Sequence, residues 1–173
     1  MEAKTLDIYE TEFGKGYLVF EDKALTAHFL PGDKRGQHYT DNMWGHLSAG
    51  EMSPEELQIP RKKGILAHKM EKYFEGTQID FNDKIILRGT DFEIKVLEAC
   101  RKVSYGSTAA YKDLAIGIGS GAYGAVGTAV SKNPLPVLIP CHRVIAVNGL
   151  GGWSGPTGMK EVLLNMEKRS AKS

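Results

Sequence analysis

From Gly89 to Lys132 the apolar residues recur at helical spacing in three runs, glycine separates each run from the next, and Asn133-Pro134-Leu135-Pro136 closes the last. This commits the second half of the chain to short helices joined by tight turns. Thr90 can cap a first helix whose stripe is Phe92, Val96, Ala99, Cys100 and Val103. Ser107 or Thr108 can cap a second helix, through Tyr111 and Leu114 to about Ile118. Gly119-Ser120-Gly121 turns into a third, Ala122 to Lys132. Helix, short Gly-containing turn, helix is the helix-turn-helix pattern. Each proline biases the residue before it away from helix. Val137-Leu138-Ile139 therefore reads as a short extended run into Pro140-Cys141-His142-Arg143, and a last helix is expected over about 157–168.

The first half has a different period. Tyr17–Phe20 and Ala24–Leu30 are strand-like and are separated by Glu21-Asp22-Lys23, which predicts a hairpin. A third strand is expected from Ile79 to Leu87. Residues 31–62, rich in Gly, Pro and charge, read as a long connection. Ile65, Leu66, Met70, Tyr73 and Phe74 then fall at helical spacing before Gly76. The expected fold class is α+β. Residues 1–87 form a small β-rich domain with a helix and a connecting segment, and residues 88–173 a mostly helical domain with the helix-turn-helix.

Net charge is +1, but residues 1–87 carry −4 and residues 88–173 carry +5. A mildly basic half suits a phosphate-facing surface, although solvated faces vary this much by chance. The start of the chain lacks the apolar core of a signal peptide, and no run of eighteen apolar residues exists. An intracellular chain with free thiols is expected, cytoplasmic, or nuclear in a eukaryote, with no membrane association. The two cysteines, Cys100 and Cys141, have no tight Cys/His spacing, which argues against a structural zinc. Cys100 lies on a helical stripe and reads as a small core residue.

Pro140-Cys141-His142-Arg143 sets a thiol beside an imidazole. The thiolate is the reactive form, and an oriented base within reach completes an activated nucleophile. A Cys-His dipeptide alone is weak evidence, since two structural residues near a turn give the same pair. The third helix is also unusual. Ala122, Gly124, Ala125, Gly127, Thr128 and Ala129 are nearly all small, and each glycine costs about 0.5–1 kcal/mol relative to alanine. Small residues permit either close packing in a core or close approach to a narrow surface such as the DNA minor groove.

The segment Asn133-Pro134, Ile139-Pro140-Cys141-His142-Arg143-Val144-Ile145 and Gly149 to Gly155 closely resembles the active-site segment of the 6-O-alkylguanine-DNA alkyltransferases. Gly89-Thr90, Phe92, Val96, Tyr105-Gly106, Tyr111, Leu114-Ala115 and Ala125-Val126-Gly127 extend the resemblance over about residues 88–168. Residues 1–87 are similar only in general plan. The resemblance implies a DNA-repair protein that moves the alkyl group of a 6-O-alkylguanine irreversibly to Cys141, once per chain and without a cofactor. His142 would act as base through a water, Glu167 would orient it, and Asn133 would tie the recognition helix to the active-site turn. Tyr111 would protonate the departing guanine. Val144, Trp153, Ser154 and Lys160 would line or support the base pocket, and Arg143 would brace the turn. Without the resemblance, Glu167 reads as an exposed helix-end charge. The implied partner is double-stranded DNA, met in the minor groove by a monomer with the damaged base flipped out. Thr108, Ala122, Tyr123, Gly124, Ala125, Gly127, Thr128 and Lys132 are the expected DNA contacts.

Two departures stand out. Gly124 occupies the position of the arginine that fills the gap left by the flipped base, and Tyr123 projects about 100° away on a helix. No cysteine precedes Cys100, so the zinc site of some relatives is not expected. A non-catalytic sensor of alkylated DNA is one rival reading, which the retention of Cys141 opposes. A cysteine hydrolase is another, and nothing in the sequence suggests an oxyanion hole for it.

Overall fold

The computed structural model describes residues 4–36 and 63–172. The chain divides into two compact units, one ending at Ile86 and the other beginning at Leu87. The expected long connection over 31–62 lies mostly outside the described residues.

The first unit holds an antiparallel sheet of β1 (Lys4–Thr11), β2 (Gly14–Glu21) and β3 (Ala24–Phe29), in that order. The expected hairpin is β2–β3. Asp22 and Lys23 adopt φ of 47° and 67°, the left-handed pair that matches the twist of a two-residue turn. Leu6, Tyr17 and Val19 form a cluster on one face, with Ile8, Ala27 and Phe29 against it. The opposite face meets α1 (Ile65–Phe74), where the Tyr9 and Phe74 rings stack at 5.9 Å. β2 is buried on both faces, so its apolar run is nearly continuous.

Two expectations for this unit need correction. The third strand is β1, while residues 79–87 contribute only a single parallel bridge, Leu25 to Ile85. Asp80, Asn82 and Asp83 break the alternation there: Asn82 donates to Asp80, and Asp83 pairs with Lys69. β1 hides its own alternation because Asp7 is buried. The Asp7 carboxylate accepts from the Gly64 amide at 2.9 Å and so joins the strand to the start of α1.

The second unit contains α2 (Asp91–Arg101), β4 (Ala109–Ala110), α3 (Tyr111–Gly117), α4 (Tyr123–Ser131), a 3-10 turn (Cys141–Arg143), β5 (Val144–Ile145) and α5 (Met159–Ala171). Thr90 caps α2 reciprocally with Glu93, at 3.2 and 3.0 Å. α3 starts later than expected. Neither Ser107 nor Thr108 caps it; instead the Asp113 side chain accepts from the Ala110 amide at 2.9 Å. The preceding Ala109-Ala110 is taken up in a parallel pair with Val144-Ile145. Gly119 at φ 71° and the Ser120 hydroxyl, which accepts from the Ala122 amide, close the turn between α3 and α4.

Residues 137–139 are a turn, not an extended run. Val137 sits at φ 76°, and the Ile139 amide reaches back to the Leu135 carbonyl at 2.9 Å. Asn133 locks this turn from inside. Its Nδ2 donates to the Ile139 carbonyl at 2.7 Å, and its Oδ1 accepts from the Leu135 amide at 2.9 Å. A β-branched residue at positive φ is strained, and the result is that Cys141 is delivered at the start of the 3-10 turn. Among the described residues no helix is long and apolar enough to cross a membrane.

Candidate active site

Cys141, His142 and Arg143 are consecutive, and all are buried on the 3-10 turn. α5 lies behind the turn and supplies Glu167, which is fully buried. Its Oε1 is 2.7 Å from His142 Nε2 and 2.9 Å from Arg143 NH2, and its Oε2 accepts from Arg143 Nε at 2.8 Å and from the Gly106 amide at 3.2 Å. The fork-on-carboxylate geometry of Arg143 is the strong kind of ion pair. Arg143 NH1 also donates to the Val103 carbonyl at 2.7 Å. Arg143 is held mainly by the Glu167 carboxylate and by one carbonyl, where the sequence reading expects it to brace the turn through carbonyls, and Glu167 is the reverse of the exposed charge that its position suggests without the resemblance. The Val103 carbonyl carries no sequence signal.

The electrostatics follow from this packing. Burial pushes the Glu167 carboxyl up, but the hydrogen bonds from His142 and Arg143 outweigh it and hold the pKa down at about 2. Burial pushes His142 below its usual 6.5, against the pull of Glu167. An ionised carboxylate can only accept, so a neutral His142 ring must carry its proton on Nε2, which makes Nδ1 the basic nitrogen. Burial likewise raises the Cys141 thiol above its usual 9, opposed by the Asn133 amide and the Lys160 charge. The resting thiol is therefore protonated, and a base is needed at the moment of attack. Burial also pushes the Cys100 thiol up, and its side chain lies wholly inside the core on the inner face of α2.

The pocket side is built from α3, α5 and the loop after β5. The Tyr111 hydroxyl donates to the Gly152 carbonyl at 3.4 Å, and burial raises its pKa, so it holds a proton to give. Lys160, buried on α5, donates to the carbonyls of Val144 and Gly152. Trp153 is anchored through Nε1 to the Pro156 carbonyl, and the Ser154 hydroxyl to the Ser131 carbonyl at the end of α4. Asn133 joins α4 to the turn that carries Cys141.

Of the expected DNA contacts, Thr108, Ala122, Tyr123, Gly124, Ala125, Thr128 and Lys132 are exposed and Gly127 is half-buried. Val126, Ala129 and Val130 form the inner face of α4. The small residues therefore divide, some packing inward and more facing out. Lys132 is paired with Glu93 at 2.6 Å. Nothing lies within 4 Å of where a Cβ on Gly124 would stand. Among the described residues no cluster of three or more His, Cys, Asp or Glu is arranged for a metal.

Residues 91–169 match the family described as "6-O-methylguanine DNA methyltransferase, DNA binding domain". A methylated-DNA–protein-cysteine methyltransferase from Methanosarcina barkeri is 36% identical over 169 residues, 95% of this chain and 97% of the relative. One from Metallosphaera sedula is 46% identical over 103 residues, 59% of this chain and 65% of the relative. The crystal structure of Mycobacterium tuberculosis OGT in complex with DNA is similar in fold, with a TM-score of 0.76 at 28% identity, covering 96% of this chain and 94% of that one.

Proposed function

Because the chain belongs to the methylated-DNA–protein-cysteine methyltransferase family, we propose that it repairs 6-O-alkylguanine in DNA by taking the alkyl group onto its own Cys141. The observation that carries the reading is a buried thiol on a rigid turn, backed by an imidazole that an ionised, fully buried carboxylate orients. The His142 Nδ1 nitrogen accepts the thiol proton through a water. The thiolate attacks the alkyl carbon, forming the S–C bond as the C–O bond breaks. The bonding pair leaves on the guanine oxygen, and Tyr111 gives the proton that neutralises the departing base. The proton taken up by His142 is released to solvent as the tyrosinate takes one back, so both groups return to their starting states and the net change is thiol plus alkylguanine to thioether plus guanine. A thioether has no carbonyl for water to attack, so each chain acts once.

The target atom lies within the duplex, so the base must be flipped out. α3 and α4 act as the helix-turn-helix, the exposed small residues of α4 meet the minor groove, and the chain works as a monomer. Tyr123 and Thr128 flank that surface. Val144, Trp153 and Ser154 contribute to the base pocket. The test is to incubate an oligonucleotide carrying 6-O-methylguanine with increasing amounts of the chain. Guanine restored in proportion to the protein added supports the reading. Tight binding with the lesion intact marks a sensor, and restoration beyond one lesion per chain marks a turnover enzyme.

Three further outcomes are expected. Tyr111→Phe should slow single-turnover transfer by about 100-fold, the scale of general acid catalysis, and leave DNA affinity unchanged; an unaltered rate would remove Tyr111 from the proton's path. DNA affinity should fall as salt rises, because phosphate contacts release counterions, with NMR perturbations from DNA contact mapping to residues 107–132 and residues 1–87 largely silent. Perturbations concentrated in residues 1–87 would move the interface elsewhere. Gly124→Arg has open space to occupy. It should raise the single-turnover rate on duplex by about tenfold, part of the few kcal/mol that unstacking costs. The rate on free benzylated guanine should barely change, which separates the effect from the helix stabilisation that losing a glycine brings. No gain on duplex would mean that another side chain already fills the gap.

A further inference from the structure

The outer face of α4 carries almost nothing that could enter a base stack. A Cβ at Gly124 would meet nothing within 4 Å, and the same holds at Gly117, Gly119 and Gly121, around the turn that leads into the helix. Ala125 adds only a methyl group. The polar side chains are engaged within the chain: the Thr128 hydroxyl donates to the Gly124 carbonyl at 3.1 Å, the Ser131 hydroxyl to the Thr128 carbonyl at 2.6 Å, and Lys132, at the far end, is held by Glu93. The exception is Tyr123, the first residue of α4, which is 48% exposed. Its ring projects about 100° around the helix axis from position 124. It therefore stands beside that position and does not fill it.

Drawing a guanine out of a duplex breaks its pairing and its stacking, and the cost is least for a base that is already unpaired. A side chain wedged between the remaining bases would restore part of the stack, and α4 offers none at Gly124. We propose that the preferred substrate is a 6-O-alkylguanine in unpaired DNA, a single strand or an open bubble, and that the Tyr123 ring is the platform on which a neighbouring base stacks. This rests on the reading that Cys141 takes the alkyl group and that α4 meets the DNA. In a single strand no pairing has to be broken, and the empty position at Gly124 matters less. A base next to the lesion is then free to turn and lie on the tyrosine. Every base has a flat face to offer, so the contact is indifferent to sequence. In a duplex the same base is held by its partner, and Tyr123 gains little.

The test is single-turnover transfer by the full chain at saturating protein, with one strand carrying 6-O-methylguanine offered alone, in a full duplex, and in a duplex opened around the lesion by mismatched neighbours. Wild type should methylate Cys141 on the order of tenfold faster from the single strand and from the bubble than from the duplex, the scale set by the unpairing avoided. Tyr123→Ala should weaken affinity for the single strand by about tenfold, the loss of one base–aromatic stack, and Tyr123→Phe, which keeps the ring, should bind as wild type does. Should Tyr123→Ala not fold, Tyr123→Leu, which keeps apolar bulk without a flat face, takes its place. A duplex that reacts as fast as the single strand would overturn the proposal, as would an alanine variant that binds the single strand as tightly as wild type. A variant that loses rate on the duplex alone would make Tyr123 a wedge and overturn it too. Each of these results leaves the alkyl-transfer reading standing. Cys141 left unmethylated by all three substrates would overturn that reading, and this proposal with it.

Discussion

Glu167→Ala should cost the second unit about 3–5 kcal/mol of stability and reduce transfer below detection. The stability figure is what removing one partner of a buried ion pair typically costs, because the other charge is left without compensation. Here that charge is Arg143, whose Nε and NH2 both end on Glu167, and the same carboxylate holds His142 and the Gly106 amide. Transfer fails because His142 loses the partner that fixes its proton on Nε2. Glu167→Gln keeps the shape but can orient the ring either way, so it should be more stable than the alanine variant and still slow. Urea titration of the second unit's transition measures the first effect and single-turnover kinetics the second. A Glu167→Ala chain as stable as wild type would mean that the network contributes nothing net.

The same network sets a pH dependence with a definite sign. The Glu167 pKa is near 2 in the folded chain and about 4.5 when unfolded, so its stabilisation is complete above about 4.5 and is lost as pH falls toward 2. His142, held below 6.5 by burial, acts in the same direction at higher pH, since the unfolded chain takes up that proton first. Stability should fall in two stages on acidification, and Glu167→Gln should remove the lower one.

Cys141→Ala has the other large expected effect, complete loss of alkyl acceptance with DNA binding retained. The side chain is small and its removal leaves the Asn133 clasp and the Arg143–Glu167 pair intact. Cys100 is no substitute nucleophile: it is fully buried on α2 and burial keeps it protonated. Gel-shift affinity for methylated duplex should therefore match wild type within about twofold, a difference of only a few tenths of a kcal/mol. Residual methyl transfer to the variant would refute the assignment of the acceptor.

The helices were legible because their apolar periods and caps are local: Thr90 and Glu93, three residues apart, announce the start of α2. β1 was not, because its middle residue is a buried aspartate whose partner, the Gly64 amide, lies 57 residues away. Residues 137–139 look extended between prolines, yet Asn133 pulls them into a turn through two bonds that composition does not reveal. At the site, Cys141 and His142 could be found from adjacency and resemblance. The burial of Glu167 depends on His142 and Arg143, 25 and 24 residues before it, and emerges only when α5 docks behind the turn. Gly151 and Gly152 read as loop glycines until the Tyr111 ring is seen beside them.

The most direct test of the central claim is mass spectrometry of the wild-type chain after reaction with excess duplex carrying 6-O-methylguanine. The mass should rise by one methyl group and no more, and the modified peptide should contain Cys141, with the Cys100 peptide unchanged. Lesions removed while the protein mass stays constant, or a methyl group found on Cys100, would contradict it.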